Sequence, residues 1–141
     1  MEYDFGVKDF DPETGCRPNM VSVDLIKAAL GKGEFVSLPR ETGKTTALLE
    51  FVHERDPGNV IVIVRSWGKK CMMQSRYKQM YPKDPQPSFI SIYDVKNTDV
   101  WGTNRKWVTD EVLPSAVVKN AEGYRWVPFL GGVGTPLCMV D

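Results

Sequence analysis

Ser37-Leu38-Pro39-Arg40-Glu41-Thr42-Gly43-Lys44-Thr45-Thr46 joins two segments of different periodicity, and its reading decides the fold. Before it, Glu34-Phe35-Val36-Ser37-Leu38 reads as a short strand. After it, Lys44 to Arg55 places Leu48, Phe51 and Val52 on one face of a helix, which Asp56-Pro57-Gly58 ends. A strand that turns through glycine into a helix presents backbone amides to an anion. Gly43 allows close approach of phosphate oxygens, and the helix dipole adds to the attraction. Lys44 can then reach β- and γ-phosphates, while the Thr45 hydroxyl can ligate magnesium.

The rest of the chain alternates in the same way. Val21 to Leu30 reads as a helix with Ser22 as N-cap and Gly31 as its stop. Val60-Ile61-Val62-Ile63-Val64 is a continuous apolar run, as expected of a strand covered on both faces in a parallel sheet. A helix from Trp67 to Tyr81 follows, and Pro82 to Pro87 breaks the chain. Phe89 to Tyr93, Lys106 to Asp110 and Tyr124 to Leu130 supply three further strands. Strands alternating with helices imply right-handed crossovers and a parallel α/β sheet.

Composition bounds the function. The 141 residues suit one domain, and a hydrophobic fraction of 42% is enough for an ordinary core. Eighteen basic and eighteen acidic residues cancel, so contact with nucleic acid would need a local patch. No apolar stretch approaches the roughly 20 residues that span a bilayer, and Met1-Glu2-Tyr3-Asp4-Phe5 is unlike a targeting peptide. These features lead us to expect a cytoplasmic protein without membrane contact, in the host-cell cytoplasm if the chain is viral. Cys16, Cys71 and Cys138 lie far apart without a CxxC pair, and with His53 they lack zinc-site spacing, so they read as free thiols.

Asp110-Glu111 closes the strand Lys106-Trp107-Val108-Thr109. Carboxylates at the carboxyl end of a parallel strand sit where open α/β sheets bind ligands. Asp110 is placed to hold magnesium through a water, and Glu111 to take a proton from, or orient, a water attacking the γ-phosphate. Two adjacent acidic residues are also an ordinary surface turn; the strand before them and the phosphate loop upstream favour the catalytic reading.

The loop departs from GxxxxGK[ST], because Leu38 stands where glycine is expected. It resembles instead the variant Walker A of viral terminase large subunits, the ATPases that drive DNA into capsids, which carry an arginine four residues before the lysine. Arg40 occupies that place, and the resemblance implies that it acts in cis on the γ-phosphate; a solvated cation or a pair with Glu41 is the plain alternative. Gly134-Thr135-Pro136 is similar to the coupling motif of terminases and, less closely, to motif III of superfamily 2 helicases, which makes Thr135 the candidate γ-phosphate sensor. Arg17-Pro18-Asn19-Met20 resembles the helicase adenine-recognition element, with Met20 in place of its glutamine. Arg17 can still stack on the base or pair with phosphate, and the sequence has no Asn-Lys-x-Asp guanine motif, so ATP is the expected nucleotide.

The resemblance runs from about Arg17 to the end. It implies an α/β fold, a three-layer RecA-like P-loop NTPase core with a mainly parallel five-stranded sheet, formed by residues 18–141 behind an irregular acidic lead-in, 1–17. The expected activity is conversion of ATP to ADP and phosphate with magnesium, slow in isolation, in nucleic-acid packaging or translocation. The expected site comprises Pro39, Arg40, Glu41, Thr42, Gly43, Lys44, Thr45, Thr46 and Arg17 for nucleotide, and Thr45 with Asp110 for magnesium. Glu111, Lys44 and Arg40 are its catalytic members.

Arg65 to Lys78 is the most basic stretch and has interleaved aromatics. Lys69, Lys70, Arg76 and Lys78 can neutralise DNA phosphates and Trp67 can stack on a base, although a basic helix face is also an ordinary solvated surface. Neither the nuclease domain of a terminase nor the second lobe of a helicase follows in this sequence, so the chain reads either as a fragment of a larger motor assembly or as a freestanding core open to self-association. Two rivals stand beside the ATPase reading: a nucleotide-dependent binding module with little turnover, and a small P-loop kinase. The kinase would require an arginine-rich lid after Glu111, which the sequence does not have.

Overall fold

The computed structural model describes residues 23–39, 43–95, 106–121 and 129–135. The 1–17 lead-in, Cys16, Arg17, Arg40, Glu41, Thr42 and Cys138 lie outside these residues. Helix α1 is Val23–Gly31, strand β1 Phe35–Ser37 and helix α2 Lys44–His53. A 3-10 turn at Pro57–Asn59 leads into β2, Val60–Val64, and then α3, Trp67–Met80. β3, Ser88–Ser91, ends in a second 3-10 turn at Ile92–Asp94. β4, Lys106–Asp110, α4, Pro114–Ala121, and β5, Phe129–Gly134, complete the order.

The five strands form one sheet in the order β1-β5-β4-β2-β3, and every neighbouring pair is parallel. Parallel strands put all their carboxyl ends on one edge, which gathers the loops after β1, β2, β4 and β5. β2 lies at the heart of the core. Val60, Val62 and Val64 pack with Ile26, Leu30, Leu48, Val52, Met73 and Tyr77 from α1, α2 and α3. Ile61 and Ile63 point the other way, toward Trp107, Val112, Ala116 and Val117. A strand with period-two side chains is buried at all five positions because helices cover both faces.

Two strand expectations need correction, the first because Phe89 to Tyr93 stops being a strand at Ser91 and turns into the 3-10 segment Ile92–Asp94. The fifth strand, described over Phe129–Gly134, runs past the expected end at Leu130; the expected positions 124–128 lie outside the described residues. Helix α4 has no counterpart in the sequence reading. It opens on Pro114, which suits a first helical position because its missing N–H would be unpaired there anyway. Among the described residues no helix is long and apolar enough to cross a membrane.

Candidate functional site

Four loops meet at the carboxyl edge of the sheet. After β1, the backbone stays paired with β5 through the Leu38 N–H donating to the Gly134 carbonyl at 2.9 Å. The loop re-enters the described chain at Gly43, which caps α2 in the left-handed region at φ 85°. A side chain there would be strained, so glycine is the residue that lets the helix begin at Lys44. The amides of the first helical turn have no intrahelical acceptor and face this edge of the sheet.

Lys44 is 6% exposed. Its ammonium donates to the Pro39 carbonyl at 3.2 Å and lies 3.6 Å from Glu111 Oε1. Burial pulls its pKa below the usual lysine value, opposed by the negative charges of Glu111 and Asp110. Thr45, next in the helix, donates from Oγ1 to Asp110 Oδ2 at 3.1 Å. Helix α2 and the end of β4 are thus joined directly although 65 residues separate them in sequence.

Asp110 is fully buried. Its register partner is Val64 on β2, and Val133 on β5 lies on its other side. Burial pushes its pKa up to about 6, against the pull of the Lys69 charge, the Thr45 hydrogen bond and Lys44. Oδ1 has no hydrogen-bond partner among the described residues. A buried, unpartnered carboxylate oxygen beside a threonine hydroxyl is a pair of hard oxygen donors of the kind magnesium takes.

Glu111 leaves β4 in the left-handed region at φ 61°, an uncommon backbone for a residue with a Cβ. Its N–H donates to the Val133 carbonyl at 2.9 Å, which fixes the turn. The turn directs the carboxylate back over the sheet edge to Thr135. There Oε2 accepts from the Thr135 N–H at 2.9 Å and Oε1 from the Thr135 hydroxyl at 2.5 Å. Strain of about 1–3 kcal/mol is typical of such a backbone and tends to collect at functional sites.

The structure therefore brings Pro39, Gly43, Lys44, Thr45, Asp110, Glu111 and Thr135 to one place. Thr46, in the first turn of α2, accepts a hydrogen bond from Arg76 of α3. Of the four basic residues of α3, Lys69 and Lys70 flank the buried stripe of Met73 and Tyr77 and are half-buried, whereas Arg76 and Lys78 are exposed. Trp67, at the start of α3, is 69% exposed. Cys71 is a half-buried free thiol.

Two features were not read from the sequence. One is the grip of Thr135 on Glu111, which only the adjacency of β4 and β5 creates. The other is the contact of Arg76 with Thr46 at the start of α2; the spacing 73, 76, 77, with Met73 and Tyr77 buried, is its sequence signal. No protein-family model, no curated protein and no solved structure matches this chain.

Proposed function

We propose that this chain binds ATP with magnesium and hydrolyses it to ADP and phosphate, as a RecA-like P-loop domain resembling those of terminase large subunits. The observation that carries the reading is the Thr45–Asp110 hydrogen bond. It sets a phosphate-loop helix against a carboxylate pair, with Lys44 lying between the loop carbonyl and Glu111. The strand order supports the RecA-like assignment, because β5, carrying a polar residue at its end, separates the phosphate-loop strand β1 from the carboxylate strand β4.

Charge balance supports a metal. Asp110 and Glu111 together offset the one lysine of the loop, so a polyphosphate would enter an unfavourable field without added cation. Thr45 Oγ1 and Asp110 fit magnesium, which when bound supplies positive charge to the phosphate oxygens. Gly43 and the first amides of α2 cradle the phosphates. Lys44 exchanges its present acceptors for phosphate oxygens and stabilises the charge that gathers on the transferred group. Glu111 receives the proton of the attacking water as its oxygen bonds to the γ-phosphorus and the bond to the bridging oxygen breaks. Thr135 holds the Glu111 carboxylate in orientation. Arg40 is the proposed cis cation, and DNA the proposed substrate for movement.

Phosphate release from ATP and magnesium tests the reading in the wild type, Lys44→Ala and Glu111→Gln, each with and without DNA. Turnover in the wild type alone, with nucleotide still bound by Glu111→Gln, is the expected result. Binding without phosphate release under every condition would replace it with a second reading, a nucleotide-gated binding module. The observation favouring that alternative is the engagement of both Glu111 oxygens by Thr135.

A further inference from the structure

We propose that Lys69 is a second phosphate-site lysine, contributed by α3 and directed at the γ-phosphoryl end of the bound triphosphate. This rests on the nucleotide reading above and extends it to a residue that neither the phosphate loop nor the carboxylate strand supplies.

Three geometric observations carry it. First, β2 pairs with β4 so that Val64 lies opposite Asp110, and α3 starts three residues after Val64. The first turn of α3 therefore rises from the strand end beside the carboxylate. Second, that turn is pinned: Ser66 Oγ accepts from the Lys69 N–H at 3.2 Å, and the Lys70 N–H donates to the Ser66 carbonyl at 3.0 Å. Third, Lys69 lies on the side of α3 that meets α2. Met73 and Tyr77 are fully buried against the cluster that contains Leu48 and Val52 of α2, and Arg76 donates to Thr46 of α2. Residues four and seven apart share a face of a helix, so Lys69 projects along the same side, one turn closer to the sheet edge. It is half-buried there.

Electrostatics agree. The Lys69 charge draws the Asp110 pKa down more than either the Thr45 hydrogen bond or Lys44 does, and it also depresses Lys44. Beside the magnesium and Lys44 of the charge count above, Lys69 adds a positive charge at the end of the chain of phosphates where the γ-group adds negative charge. An ammonium in that position distinguishes triphosphate from diphosphate by its extra charge.

The test is equilibrium binding of MgATP and MgADP to the full chain, for the wild type, Lys69→Met, Lys69→Arg and Lys32→Met. Lys32 is exposed at the turn before β1, on the opposite edge of the sheet, and controls for the loss of one charge. The expected result is a loss of about tenfold in MgATP affinity for Lys69→Met, with MgADP within about twofold. Lys69→Arg should recover most of the ATP preference, and Lys32→Met should bind as the wild type does. Single-turnover hydrolysis should fall with the ATP affinity in Lys69→Met. Unchanged MgATP binding in Lys69→Met would overturn the proposal, as would an equal loss for both nucleotides. In either of those cases wild-type binding remains, so only the role of Lys69 falls. A wild type that binds neither nucleotide would overturn the nucleotide reading, and the role of Lys69 with it.

Discussion

Thr135 holds Glu111 by both carboxylate oxygens, through its N–H at 2.9 Å and its hydroxyl at 2.5 Å. The two residues sit at the ends of adjacent strands, and the left-handed turn at Glu111 is what aims the carboxylate across. A carboxylate held this way is oriented by one group that cannot move without the sheet, the Thr135 amide, and one that can rotate, its hydroxyl.

Removing the hydroxyl separates these contributions. Thr135→Val keeps the side-chain volume and the amide bond but frees Oε1, which then has only Lys44 at 3.6 Å. We expect turnover to fall about tenfold through loss of orientation, within the usual range for a positioned base, while MgATP affinity stays within about threefold. Steady-state phosphate release together with nucleotide titration checks this. Faster turnover in Thr135→Val would show instead that the hydroxyl restrains Glu111.

The burial of Asp110 carries a cost to stability that pH exposes. Its pKa is raised from 3.8 to about 6 in the fold, chiefly by burial. A carboxyl raised in this way favours folding fully below its unfolded value and loses that contribution as pH rises through about 6. At neutral pH the ionised carboxylate, with Oδ1 unpartnered, is a cost to the metal-free protein. Asp110→Asn should therefore raise the unfolding temperature at pH 7.5 in the presence of chelator, by about 2–6 °C. The gain should shrink toward nothing near pH 4, where the wild-type carboxyl is neutral in the fold. The same substitution should abolish any stabilisation of the protein by MgATP. Thermal unfolding at the two pH values, with and without MgATP, decides the matter; a less stable Asp110→Asn at pH 7.5 would count against the buried charge as the controlling term.

Much of this site is legible in one dimension because its chemistry is local. Gly43-Lys44-Thr45 and Asp110-Glu111 are each contiguous, and the run Val60 to Val64 announces a strand covered on both faces. What escaped depends on neighbours remote in sequence. Gly131, Gly132 and Gly134 make 129–134 look like a loop, since glycine disfavours strands when nothing else decides. Its place between β1 and β4 overrides that propensity. The basic residues 65–78 read as one charged surface, but Lys69 and Lys70 are half-buried beside Met73 and Tyr77, and Arg76 reaches across to Thr46 of α2. α4 is a short helix whose burial comes from Val112, Ala116 and Val117 meeting Ile61 and Ile63, a contact that local pattern does not contain.

Gly132 shows how tightly β5 is held, and with it Thr135. It stands in register with Thr109 on β4 and Phe35 on β1. A Cβ at position 132 would lie 2.1 Å from Thr109 Oγ1, 3.0 Å from Phe35 Cδ2 and 3.1 Å from the Thr109 carbonyl. Thr109 is fully buried, so its hydroxyl has no solvent to swing into. Gly132→Ala should therefore destabilise the protein by about 1–3 kcal/mol, the usual range for overpacking a core. The Thr109 hydroxyl has no hydrogen-bond partner among the described residues, so Thr109→Ala sacrifices little while clearing the worst clash. The two substitutions should couple. The double variant is expected to recover more than half of the loss caused by Gly132→Ala, a departure from additivity that a denaturant-unfolding double-mutant cycle measures. The contacts to Phe35 and the Thr109 carbonyl persist, so recovery should stop short of the Thr109→Ala parent. Additive losses would mean that the strand relieves the clash by shifting its backbone rather than at Thr109. A shift of that kind would also move Thr135 away from Glu111, and turnover would fall in Gly132→Ala even at temperatures where it remains folded.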